Sequence, residues 1–259
     1  DNWTRTVGIG LTAPLSMHRW SNLMGGAAGK ALERWENIDL LAKVQEFTDL
    51  PVEFAKDTTA ACIAEMLQGH GRLVDNFLYV FVGTFVGGGL VMSGHIMAGQ
   101  RSNAGAIGSL PMGMGSASDK PPQLLQLASG WQLEQTLEQA GFDAQLVHQD
   151  AIMDPAYAAF VTPWLTQAGQ ALAMTAVSAT ALMDLDAVII DGSLGRTLID
   201  ALIRATRERM QHYNLDGLQP PTVMAGTVGA HARALGGSLL PLHTQFFPIK
   251  DIFLKEDLA

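Results

Sequence analysis

Apolar positions along the chain fall into two alternating rhythms. "RTVGIGLTAP" (Arg5–Pro14) predicts a buried strand that runs into a proline-broken loop. "NIDLLAKVQEFTDLP" (Asn37–Pro51) has helical spacing, with Asp39 as cap and Pro51 beyond the end. "PVEF" predicts a short strand, and "DTTAACIAEMLQGHG" (Asp57–Gly71) a helix stopped by glycine. "NFLYVFVGTFVGGGLVMSGHIMAG" is apolar and β-branched on both sides of its glycines and predicts a hairpin. Helices are expected over Gln123–Ala140 and over Tyr157–Leu185, the latter with Pro163 inside it. "DAVIIDGSLG" (Asp186–Gly195) predicts a strand and a Gly-containing turn before a helix over Thr197–His212, and "PTVMAGTVGAHARALGGSLLPL" repeats that order.

Strands alternating with helices define an α/β fold, and the hairpin makes its sheet mixed. A lobe boundary is expected near Pro51–Phe54, giving an N-terminal lobe of residues 1–53 and a second lobe of 54–240. The end of the chain, residues 241–259, is expected to return to the first lobe.

Composition narrows the class. The 259 residues are 48% hydrophobic and 16% charged, which fits packed cores rather than disorder. The net charge of −9 makes the chain itself a poor partner for nucleic-acid phosphates. A lone cysteine, Cys62, excludes an internal disulfide framework and a multi-Cys zinc site, and fits a reducing cytoplasm. Its apolar neighbours Ala61 and Ile63 predict a buried, inert thiol. The Ala-rich stretch Gln167–Met183 carries Gln, Thr and Ser throughout and is read as a long buried helix, not a membrane span. "DNWTRTVGIG" lacks the basic-then-apolar order of a signal peptide. The seven histidines, His18 and His148 among them, are scattered without metal-ligand spacing and predict surface or core positions; the Met-rich "PMGMG" predicts a connector.

Three features would combine into a phosphotransfer site. Asp57, opening a helix just after a strand, can take a proton from an attacking hydroxyl, or can simply cap that helix. Gly83, Thr84, Gly87, Gly88 and Gly89 can bring backbone N–H groups and a hydroxyl to phosphate oxygens, or can serve a tight hairpin that needs positive φ. "DGSLG", with Gly192 and Ser193, forms a turn at the carboxyl end of a strand, a usual nucleotide position that is also common without a ligand.

In order, these segments resemble the ROK family of bacterial sugar kinases and sugar-responsive repressors. "VGIGLTAPL" is similar to the family's GIGIPGPV strand and loop, "FAKDTTAACIAE" to ENDANAAALAE, "GTFVGGG" to GTGIGGG and "AGAIGS" to AGEIGH. "VIIDGSLG" resembles its strand and Gly-Gly turn near adenosine, and "ALGGSLLPL" its closing GAA helix. The resemblance spans nearly the whole chain and implies the actin-like ATPase (ribonuclease H-like) fold, two lobes around a cleft, with ATP and Mg²⁺ as cofactors if the chain is a kinase.

The departures from the family pattern bear on function. Asp57 stands at the catalytic-base position, but Lys56 replaces the Asn that holds the sugar. Ala106 replaces a sugar-binding Glu, Ser109 the His that binds sugar or helps hold zinc, and Leu125 a last sugar-contacting Glu. No Cys-rich zinc loop follows, so no structural zinc is expected. Phe85 replaces a hairpin glycine and puts a ring near the phosphate path. Lys56 is expected to pair with Asp57. No Asp-x-Gly-Gly-Thr loop precedes "VGIGL", and no helix-turn-helix is present, so the resemblance reads the chain as a fragment whose DNA contact would come only from an upstream domain. The tail "LLPLHTQFFPIKDIFLKE" is similar to the regulator branch.

The expected function is the effector-sensing and oligomerisation part of a cytoplasmic ROK-type transcriptional regulator. It would be a homodimer or higher oligomer, associating mainly through the second lobe and binding a sugar or sugar derivative in a degenerate kinase site, with no required cofactor and no membrane partner. An ATP-dependent kinase for a hexose or N-acetylhexosamine, using Asp57 as base, is the alternative; a structural dimerisation module is the second.

Overall fold

A computed structural model describes residues 6–14, 26–116 and 119–246, the side chains of 26–28 and 245–246 excepted. Arg5, His18 and the tail beyond Phe246 lie outside the described residues.

The polar–apolar pattern resolves into two sheets. β1 (Ile9–Ala13) and β2 (Val52–Lys56) form a parallel pair, Ile9 opposite Val52 through Ala13 opposite Lys56. The second sheet has the order β5-β4-β3-β6-β7, built from β3 (Phe77–Val82), β4 (Val86–Met92), β5 (His95–Ile96), β6 (Ala187–Gly192) and β7 (Thr222–Ala225). β3 runs antiparallel to β4 and parallel to β6, so the sheet is mixed as expected.

Six consecutive buried apolar residues in β3 follow from its central place. Leu78, Val80 and Val82 point into a large core, while Phe77, Tyr79 and Phe81 point into a smaller one on the opposite face. The large core is closed by α4 (Leu124–Ala128), α5 (Gly130–Gln139), α6 (Ala158–Met183) and α7 (Arg196–Met210). The smaller one is closed by α3 (Asp57–Gln68) and the start of α8 (Ala232–Phe246). α3 and α8 cross closely enough that a Cβ on Gly236 would collide with the Ala60 carbonyl. α8 also lies on β1, where Gly10 faces the Gly237 backbone, and so joins both sheets. β2 runs through the boundary expected near residues 53–54, and its pairing carries the first sheet to Lys56.

Several expected elements differ. β1 is half-buried rather than buried, having one neighbouring strand and α8 as cover among the described residues. Two short helices precede β2: α1 (Gly26–Glu33) and α2 (Leu40–Gln45). Asp39 Oδ1 does cap α2, accepting from the Ala42 N–H at 3.0 Å, but α2 stops well before Pro51. It buries no residue, so no packing extends it. The helix expected over Gln123–Ala140 is two helices, broken at Ser129, whose backbone is extended. α6 runs through Pro163 as one helix, but only one face of it is buried, including Ala168, Leu172 and Ala176, and Leu182 is 81% exposed. Among the described residues no helix is long and apolar enough to cross a membrane.

Cys62 is fully buried on α3, facing Gly89 of β4. Burial pushes its thiol far up, and the nearby Glu65 adds to the effect. Native protein is therefore expected to give no adduct with iodoacetamide at pH 8 and one after denaturation, read by intact mass. Alkylation of the native protein would show that α3 lifts from β4.

Candidate functional site

A cavity of about 900 Å³ opens between β2, the start of α3, the β3–β4 turn, the segment 101–109 and α4. It gathers most of the residues singled out from sequence: Lys56, Asp57, Gly83, Thr84 and Gly87, with Ala106, Ser109, Leu125 and Ser193. Gly88, Gly89 and Gly192 do not line it.

The glycine triplet is not the turn of the hairpin, and packing gives it a further job. Gly87–Gly89 lie inside β4, opposite Phe81, Val80 and Tyr79, and none has positive φ. The hairpin turn is Gly83–Phe85. A Cβ on Gly87 would meet Thr58 Cγ2 at 2.8 Å, and one on Gly89 would meet Cys62 Cβ at 2.5 Å. On the other face, a Cβ on Gly88 would meet Ile107 Cδ1 at 2.9 Å. The glycines let α3 and the Ile107–Ser109 turn press onto one strand from both sides. The Thr58 hydroxyl completes that contact by donating to the Gly88 carbonyl at 3.1 Å. Gly192 is similar: its Cβ would strike the Val82 carbonyl.

Asp57 is the first residue of α3, after Lys56 at the cap position, and its Oδ1 accepts from the Thr58 N–H at 2.8 Å. Its other oxygen, Oδ2, lies 3.6 Å from an Arg233 guanidinium nitrogen. Arg233, near the start of α8, also lies over the Phe81 ring at 5.0 Å. The expected Lys56–Asp57 pair is thus corrected: the cation paired with Asp57 is Arg233. Lys56 turns the other way, with Nζ 3.5 Å from the Ala104 carbonyl. Only 9% of Lys56 is exposed, and burial lowers the pKa of its ammonium, partly countered by Asp57.

A second group of contacts ties the turn to the loop after β6. The His148 ring bonds the Ser193 carbonyl through Nδ1 at 2.8 Å. A carbonyl only accepts, so Nδ1 carries the proton and Nε2 faces Glu134 Oε1 at 3.5 Å. The Thr84 hydroxyl donates to the same Glu134 oxygen at 3.3 Å. Burial raises the Glu134 pKa, opposed by His148 and the Thr84 hydrogen bond. Main-chain bonds reinforce this wall. Gly130 and Trp131 donate to the carbonyls of Gly83 and Thr84 at 2.8 and 3.0 Å. Val86 N–H donates to Ser129 Oγ at 2.9 Å, and the Ser129 carbonyl accepts from Trp164 Nε1 at 2.9 Å. Ser129 breaks the helix because its backbone and hydroxyl are committed to these bonds. Phe85 lines the cavity and packs against Trp131, with ring centroids 6.5 Å apart.

Residues that sequence reasoning passed over include Arg233, His148 and Arg101, with the amides of Asn103, Gln123 and Gln145. Arg233 had a local signal, a cation in the first turn of a helix where the dipole disfavours it. His148 had none, because its partners lie 14 residues before it and 45 after it. Among the described residues no three His, Cys, Asp or Glu side chains gather to hold a metal ion.

Comparison with known proteins places this architecture. A protein of Sinorhizobium fredii without an assigned activity is 29% identical over 93% of this chain and 59% of its own length. The chain spans about a third of the length of the curated sugar kinases it matches, a β-glucoside kinase and a glucokinase among them. A ROK hexokinase from Thermus thermophilus superposes with a TM-score of 0.61 over 92% of this chain and 80% of that one, at 24% identity. A ROK family transcriptional regulator, a homologue of the E. coli MLC protein, superposes with a TM-score of 0.55 over 78% of this chain and 55% of that one, at 22% identity. The fold is therefore the actin-like fold of these sugar kinases. The ROK family model itself matches residues 2–243, and the chain belongs to the ROK family.

Proposed function

We propose that this chain is the effector-sensing and oligomerisation part of a ROK-type transcriptional regulator, with a sugar-kinase site that has lost its acceptor shell. Hexokinase and regulator share this fold, so the fold does not choose between them and the site must. The observation that carries the reading is the make-up of the cavity: among the described residues Asp57 is its one carboxylate, and Arg233 is paired with it. Ala106, Ser109 and Leu125 stand where the resemblance places sugar-holding groups, and none is a carboxylate or imidazole. Phosphoryl transfer needs base, phosphate cradle and acceptor hydroxyl aligned together, and the acceptor is the part left unheld.

In this reading a ligand between the lobes shifts their closure, and dimer geometry sets the spacing of DNA-binding domains elsewhere in the protein. The lobes proposed are residues 1–53 with 241–259, and residues 54–240. The protein acts in the cytoplasm as a homodimer. A kinase reading is favoured by one feature, the placement of Asp57 on the wall of the same cavity as Thr84 and Ser193. ATP and Mg²⁺ would then sit toward Gly83, Thr84 and Ser193.

Coupled ADP release from full-length protein decides between them. With glucose, mannose, N-acetylglucosamine and N-acetylmannosamine, turnover is expected to stay at background. Sugar-dependent turnover that Asp57→Asn abolishes would replace the regulator with the kinase. A thermal shift with no sugar or sugar derivative would leave only a dimerisation module.

A further inference from the structure

The cavity's donors and acceptors are badly out of balance. Among the described residues its Lys and Arg side chains are Lys56, Arg101 and Arg233, against the single carboxylate of Asp57, in a chain whose net charge is −9. Lys56 is nine-tenths buried with three N–H donors, and its one hydrogen bond is the 3.5 Å contact with the Ala104 carbonyl. Among the described residues it has no carboxylate within ion-pair distance, and its neighbour Asp57 is paired with Arg233. Arg101 makes no hydrogen bond or ion pair among the described residues, and it lines the same space.

A neutral hexose gains from a site that offers acceptors to its hydroxyl protons. This site offers one carboxylate, already paired with Arg233, and two cations without a carboxylate partner among the described residues. A buried ammonium is costly without a counter-charge, and an oxyanion brought to it removes that cost while a hydroxyl does not. Low-dielectric walls of Phe81, Phe85 and Leu125 strengthen such a contact. The amides of Asn103, Gln123 and Gln145 both donate and accept, and suit the hydroxyls of a polyol. We infer that the ligand of this cleft is a polyol bearing an oxyanion, a sugar phosphate or sugar acid, with the oxyanion held by Lys56 and Arg101. The inference rests on the sensor reading and names its ligand class.

The test is isothermal titration of full-length protein with matched sets. Each set holds glucose, mannose, N-acetylglucosamine or N-acetylmannosamine with its 6-phosphate, and glucuronate and inorganic phosphate are run alongside. At least one anionic sugar is expected to bind about tenfold or more tighter than its neutral parent, with a preference that weakens as salt rises. Lys56→Met, which keeps the packing of the stem, and Arg101→Ala, on an exposed segment, are each expected to remove most of that preference. The source is read from which member binds, phosphate ester or carboxylate. Neutral sugars binding as tightly as their anionic partners, or a preference that survives both substitutions, would overturn the inference while the sensor reading stands. Inorganic phosphate binding as tightly as the sugar phosphate would overturn the polyol half of it. Binding of nothing in the panel would overturn this inference and the sensor reading together.

Discussion

Truncating Glu65 to alanine is expected to lower the melting temperature by about 10 °C. Glu65 is fully buried on α3 and accepts from the His70 N–H at 3.0 Å and the Thr227 N–H at 2.9 Å, with the Thr227 hydroxyl as a third donor. Alanine leaves two backbone N–H groups without a partner, at about 1–3 kcal/mol each, and a cavity besides. A total near 4 kcal/mol corresponds to that shift in a domain of this size. Glu65→Gln keeps one acceptor oxygen and is expected to recover about half. The effect reaches the site, because Thr227 belongs to the loop that leads into α8, which carries Arg233 to Asp57. Differential scanning calorimetry showing Glu65→Ala within about 2 °C of the parent would mean that water or a rearranged loop satisfies those groups.

Rebuilding the acceptor shell is expected to produce a large gain in neutral-sugar affinity before any gain in rate. Lys56→Asn, Ala106→Glu and Ser109→His together supply an amide, a carboxylate and an imidazole at positions that line the cavity. Hydrogen bonds to a charged group contribute about 1.5–3 kcal/mol each, so two good ones give roughly a hundredfold in Kd for glucose. Leu125 is left unchanged, since it is buried among the residues of the large core and a carboxylate there would lose its solvation. Turnover should remain at background, because Arg233 is still paired with Asp57. Calorimetric titration reads the first outcome and ADP release the second. A triple variant that binds glucose no better than the parent would refute the account of what this site lacks.

Much of this was open to sequence reading, for identifiable reasons. β3 and β6 sit between two cores, so their continuous apolar runs have only one good reading. Asp57 and Ser193 reach the cavity because each sits at the carboxyl end of a strand, where residues collect around ligands. What escaped depends on contacts across the fold. The helix break at Ser129 is made by Val86, Gly83 and Trp164, none of them near it in sequence. The glycines of β4 read as a turn or a phosphate cradle, and the close approach of Thr58, Cys62 and Ile107 that they also allow left no local signal. The neighbour relation of Lys56 and Asp57 suggested a pair. Adjacent residues at a strand-to-helix junction point apart, however, and α8 delivers the partner from 176 positions away.

The wall that holds the β3–β4 turn is fastened largely by peptide groups, with Gly130 and Trp131 bonded to the carbonyls of Gly83 and Thr84. Such bonds are indifferent to which side chains project into the cavity. Mutation at positions 56, 106, 109 or 233 can therefore rewrite what the cleft recognises while its contour is inherited intact. A lineage built on this scaffold can trade a catalytic vocation for a receptive one by small steps, without passing through an ancestor that fails to fold.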